Sequence, residues 1–174
     1  NTSAVPLDGL RLQLLPDREN IIILPTTKEV EVSKILPVLS ALTDGYRITV
    51  VGFPEWQAFT SVDHETYFKL NTKIFTYSYV DNTTEPAKRF ALKYRKYFYT
   101  EPNNLAYKAF DMSLYFIELA AKYRDRTLDA LEFYPRNGFS LFYFKKMEGQ
   151  AGKENQGFYI VNFGSDYRLK IESL

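Results

Sequence analysis

Apolar residues first form an unbroken run from Ile21 to Leu24, mostly β-branched and closed by Pro25, which predicts a buried strand. Thr26 and, three residues later, Glu29 have the spacing of a helix-opening capping box. Val32, Ile35, Leu36, Leu39 and Leu42 then share one helical face, with Pro37 expected to kink or divide the helix. Asp44-Gly45 closes that helix, and the stretch from Tyr46 to Phe53 reads as a second buried strand. Strand, helix and strand with short turns make a βαβ unit with parallel pairing. A third strand is expected over Lys73–Val80, where Ile74, Thr76, Ser78 and Val80 alternate with the rings of Phe75, Tyr77 and Tyr79.

From Asp81 onward the period changes to helical. Thr83 or Thr84 can cap, Pro86 suits a first turn, and Ala87, Phe90, Tyr94 and Tyr97 recur at helical spacing. Glu101-Pro102 breaks the run, and Asn103 or Asn104 can cap the next helix, Leu105–Tyr123. That helix is apolar over more than half its circumference, so it is expected at the centre with contacts on several sides. A short helix over Thr127–Phe133 ends at Pro135. Two aromatic strands, 139–147 and 157–163, then pair as a hairpin around a polar loop expected to be mobile. The predicted fold class is α/β: a doubly wound, mostly parallel sheet with a C-terminal antiparallel hairpin. Residues 1–174 are read as one domain, with 1–19 poorly placed.

Composition changes little. Of 174 residues, 45% are hydrophobic and 25% charged, which suits a globular chain with a real core. With 22 basic and 21 acidic residues and only short basic runs, no nucleic-acid partner is indicated. No apolar run approaches the length of a membrane span. Cysteine is absent and His64 is the single histidine, which removes thiolate zinc sites, cysteine nucleophiles and histidine-rich metal sites.

The chemistry-bearing candidates are few. No dinucleotide fingerprint, phosphate loop or nucleophile elbow is present. Asp63-His64-Glu65 reads as a capped helix start before it reads as an acid–base cluster. Asp81, Asp111, Glu118 and Asp129 could serve paired-carboxylate chemistry, but nothing in the sequence brings two of them together. Asp111 sits in the most apolar helix, where an unpaired carboxylate is costly. It needs a partner such as a backbone N–H or an arginine, an exposed face, or a ligand. Trp56 follows the carboxyl end of the second strand, where open α/β sheets bind ligands, and it also suits core packing. Thr26 and Thr27 hold the matching position after the first strand, with capping as their other use. No enzyme and no cofactor are expected.

The segments around Ile22–Thr27, Ile48–Trp56 and Lys73–Asp81, followed by the helix pair with its Glu101-Pro102 break, resemble the second lobe of type 1 periplasmic binding proteins. Residues 53–59, 70–81 and 154–163 are similar to a subgroup of envelope proteins in which such a module follows LysM peptidoglycan-binding repeats, although no LysM repeat is visible here. The resemblance covers roughly Asn20–Phe163 and lies in the order of the motifs. It implies the C-terminal part of a larger two-lobed module, located in the periplasm or cell envelope. Its implied function is to bind or sense a small polar ligand such as an amino acid, sugar or muropeptide. Thr26, Thr27, Trp56, Tyr79 and Asp81 would lie on the ligand side. The apolar helix faces left without the other lobe would be covered by repacking or by a second copy of the chain, a homodimer. The alternative is a scaffold or interaction domain in cell-wall assembly that keeps the fold without a solute.

Overall fold

The computed structural model describes residues 9, 11–149 and 152–173; the expectations for 1–8, Leu10 and Ala151 lie outside them. The chain divides into two compact units, Asn1–Thr76 with Ile160–Glu172 and Tyr77–Tyr159 with Ser173–Leu174.

The first unit opens with β1 (Glu19–Ile23), α1 (Glu29–Ser40) and β2 (Arg47–Gly52). A 3-10 turn (Pro54–Ala58), α2 (His64–Lys69) and β3 (Lys73–Thr76) follow. β1 runs parallel to β2 in register from Glu19 against Arg47 to Ile23 against Val51, and β2 runs parallel to β3. The βαβ reading therefore holds, but its first strand is not buried. β1 is an edge strand, and Ile21 and Ile23 are 65% and 67% exposed, so it is not the buried strand its run of isoleucines predicts. An apolar run carries no information about which strand has a neighbour on both sides. The helix continues undivided through Pro37. Proline removes only one donor, one turn from the helix end, while Leu36 and Leu39 on either side are buried.

The capping box does not form either. Thr26 Oγ1 donates to Glu31 at 2.6 Å and accepts from the Lys28 N–H. The Glu29 carboxylate instead accepts from the N–H groups of Thr60 and Ser61 and from the Ser61 hydroxyl. These bonds, those to Ser61 foremost, hold Glu29 below its ordinary pKa. Asp63 caps α2 as expected, accepting from the Glu65 N–H at 3.0 Å.

The second unit contains α3 (Glu85–Phe98), α4 (Asn104–Tyr123) and the short α5 (Thr127–Ala130). Asn103 caps α4 through the Ala106 N–H at 2.9 Å. α4 buries a single stripe, Tyr107, Asp111, Tyr115 and Leu119, spaced four residues apart. Phe110, Met112, Phe116 and Ile117 stay exposed, so the helix is not enclosed on several sides. Tyrosine wins the packed face because its ring fills the core and its hydroxyl still finds an acceptor: Tyr115 donates to the Tyr134 carbonyl and stacks on Phe142 at 4.3 Å.

Two small antiparallel ladders complete this unit, β4 (Arg136–Asn137) with β5 (Leu141–Phe142) and β6 (Phe144–Lys146) with β7 (Lys153–Asn155). The partner of residues 144–146 is thus the polar segment 153–155, not 157–163. Asn155 fastens it: its side chain accepts from the N–H groups of Tyr143 and Gly157 and donates to the Leu141 carbonyl. The apolar segment becomes β8 (Tyr159–Phe163) and joins the large sheet, whose order is β1-β2-β3-β8-β9. β9 (Leu169–Ser173), unforeseen in sequence, follows through the turn in which the Gly164 N–H donates to the Arg168 carbonyl. The architecture is α/β, with parallel strands and antiparallel hairpins.

Candidate functional site

Tyr79 and Asp81 lie just beyond β3, in the segment that leads into α3. The Tyr79 N–H donates to the Phe139 carbonyl, and Ser78 bridges Ser140 in antiparallel fashion, so this segment is tied to the β4–β5 turn. Asp81 accepts from the N–H and hydroxyl of Thr83 at 2.8 and 2.6 Å, which holds its carboxyl below the ordinary range. Both residues border a cavity of about 590 Å³ that lies within the second unit. Phe110 and Leu114 of α4, with Phe139, supply apolar wall, while Arg136, Asp111 and Tyr159 supply polar groups.

The polar groups form a chain of contacts. Asp111 is 2% exposed and accepts from the Ser140 N–H at 2.7 Å, with the Arg136 guanidinium 3.8 Å away. Arg136 also donates to Glu118 at 2.9 Å. The partner demanded by a carboxylate in an apolar helix is therefore both a backbone N–H and an arginine. Burial still raises the Asp111 pKa, opposed by the Ser140 N–H and by Arg136. Tyr159 donates to the Gly138 carbonyl at 2.9 Å; burial and then the nearby Asp111 charge raise its phenol.

Gly138 is required here for space. A Cβ at this position would sit 2.6 Å from both carboxylate oxygens of Asp111. Since Ser140 holds that carboxylate, Gly138→Ala should cost roughly 1–3 kcal/mol through displaced contacts. Thermal melting followed by circular dichroism checks this; an unchanged midpoint would show that the carboxylate moves freely.

Thr26, Thr27 and Trp56 belong to the first unit. Trp56 is 0% exposed and its indole N–H donates to the Thr26 carbonyl at 2.8 Å. Its ring lies against Gly52 and near Tyr67, whose hydroxyl donates to the Trp56 carbonyl. Burial, with Glu29 adding to it, pushes the Tyr67 phenol up to about 12. Thr26 is half-buried and bonded to Glu31, whereas Thr27 is exposed. His64 begins α2, with its ring edge-on to Tyr67 at 5.8 Å.

Arg136, Phe139 and Tyr159 went unnoticed in the sequence, each an ordinary residue in an aromatic stretch. One signal bore on Arg136: an arginine was among the partners that a carboxylate at Asp111 could take. Among the described residues, no group of three or more acidic, histidine or cysteine side chains is placed to hold a metal ion, and no helix is long and apolar enough to cross a membrane.

No family model matches the chain, and no curated protein matches it. Among solved structures it is similar to an ABC transporter substrate-binding protein from Desulfitobacterium hafniense in complex with Leu, at 12% identity and a TM-score of 0.49. The match covers 88% of this chain and 43% of that one, so the chain spans less than half the length of that structure.

Proposed function

We propose that the chain is part of a non-catalytic binding module that seats a small polar solute in the cavity of the second unit. The observation that carries this reading is the lining of the cavity. One guanidinium, Arg136, and a carboxylate on an exposed residue, Asp81, share it with aromatic walls and two tyrosines. Its volume of about 590 Å³ suits one amino acid or one sugar. Arg136 would take an acidic or hydroxyl group, Asp81 an amine or hydroxyl, and Phe139 and Phe110 the apolar part. In this reading Asp111 positions Arg136. Trp56 is assigned to packing, because it is wholly buried and its indole N–H is spent on the Thr26 carbonyl. The order of motifs that resembles type 1 periplasmic binding proteins supports a place in the cell envelope within a larger two-lobed module. Amino acids are the first class to test, ahead of sugars and muropeptides.

A thermal-shift screen against those three classes tests the proposal. One class should raise the melting temperature, because a ligand at about a hundred times its Kd stabilises the folded state by about 2.7 kcal/mol. Arg136→Gln should remove the shift while leaving a cooperative melt. If no class shifts the protein, the solute reading fails and the scaffold reading takes its place. A shift retained in Arg136→Gln would move the solute to another site.

A further inference from the structure

α3 presents an exposed basic surface that the proposed solute site does not use. The segment Glu85–Glu101 holds five of the chain's 22 basic residues and two of its 21 acidic ones. That is a net of +3 in a chain whose total is +1, so the rest of the protein is slightly acidic. Only Ala87 is buried along the helix. Lys88 and Arg95 pair with Glu85 and Glu101, whereas Arg89, Lys93 and Lys96 make no ion pair among the described residues. Hydrophobic groups interrupt the cations: Leu92, Tyr97, Phe98 and Tyr99 are 62%, 71%, 63% and 92% exposed.

Helical spacing sorts these side chains. Arg89, Lys93, Lys96 and Tyr97 recur at intervals of three and four, and so do Lys88, Leu92 and Arg95, which puts each set on one face. The aromatic residues gather at the C-terminal end, where Tyr99 adopts a left-handed conformation (φ 55°) and its N–H closes the helix on the Arg95 carbonyl. Water solvates the cations well but has no use for four large apolar groups among them.

We propose that the exposed side of α3 that carries Arg89, Lys93, Lys96 and Tyr97, with Leu92 along its edge, docks on an anionic lipid surface. Lysine and arginine can lay their methylene stems along the acyl boundary while their charges reach phosphate. Tyrosine and phenylalanine rings settle at headgroup depth, and Leu92 enters the apolar layer. A single-stranded nucleic acid would also match cations with rings, but it has no use for an aliphatic Leu92 and stacks on ring faces spaced along a groove. Here the exposed rings gather at one helix end and are not spaced along a groove.

Co-sedimentation of the whole chain with vesicles tests this. Binding is expected to phosphatidylcholine vesicles containing phosphatidylglycerol, to weaken at high salt, and to be minor on phosphatidylcholine alone. The triple variant Arg89→Gln/Lys93→Gln/Lys96→Gln should lower partitioning about a hundredfold, from the usual contribution of each basic residue near an anionic surface. Leu92→Ser/Tyr97→Ser should weaken it at every salt concentration. All five positions are exposed, and an unchanged melting temperature shows that each variant folds. Failure to bind anionic vesicles overturns the proposal. So does binding unaffected by both variants, or binding to a single-stranded oligonucleotide without binding to vesicles.

Discussion

Trp56→Ala should lower stability by about 3–5 kcal/mol, the range for emptying a large aromatic site in a packed core. Trp56 is the chain's single tryptophan and is wholly buried. Its ring fills the space over Gly52, where even a Cβ would come within 2.4 Å of it, so strand and indole are fitted to each other. Three further losses follow from the same truncation. The Thr26 carbonyl loses the indole N–H, Tyr67 loses its stacked neighbour at 6.4 Å, and the 3-10 turn loses its anchor. Trp56→Phe restores most of the volume and forfeits the N–H, so it should cost roughly half as much, with about 1 kcal/mol of that from the hydrogen bond. Urea unfolding followed by far-ultraviolet circular dichroism, at unchanged m-value, measures both. An alanine variant within about 0.5 kcal/mol of wild type would mean that Trp56 is not a core residue.

The same residue marks the limit of reading the sequence. Its place after the carboxyl end of β2 was legible, because a run of β-branched residues ending at Gly52 reads as a strand on its own. Whether the indole turns toward solvent or toward Tyr67 depends on a helix eleven positions further on, and no local pattern encodes that. The βαβ order was readable for the same local reason, and the edge position of β1 was hidden for the opposite one. Strand neighbours are chosen over long range: the apolar stretch 157–163 pairs into the large sheet, while 153–155, polar throughout, pairs with β6. Glu29 shows this at the scale of one side chain. Its spacing from Thr26 fits a capping box, yet three donors at Thr60 and Ser61 offer its carboxylate more than one cap N–H would. Of the residues that border the cavity in the second unit, Tyr79 and Asp81 are named in sequence only by the resemblance to a binding-protein lobe. Arg136, Gly138 and Tyr159 are not named, since only the fold brings them to Asp111.

At Asp111 two substitutions should separate geometry from charge. Asp111→Ala should cost about 2–4 kcal/mol, since it leaves the Ser140 N–H buried without an acceptor and opens a void beneath Gly138. Asp111→Asn retains an acceptor oxygen of the same shape and should stay within about 1 kcal/mol of wild type at neutral pH. The pH dependence then follows from the raised pKa. Burial holds the folded-state value above the ordinary 3.8, despite Ser140 and Arg136, so the folded protein binds this proton more tightly than the unfolded chain does. The stability that this group contributes is therefore fully present below 3.8 and is lost as pH rises through the raised value. Asparagine has no such step. The stability of wild type relative to Asp111→Asn should decline as pH climbs out of the acidic range and level off above it, as read from paired urea titrations across pH. A difference that grew with pH instead would mean that the pairing with Arg136 outweighs burial, and Asp111 would then be held as an ion by design of the site rather than tolerated there for its shape.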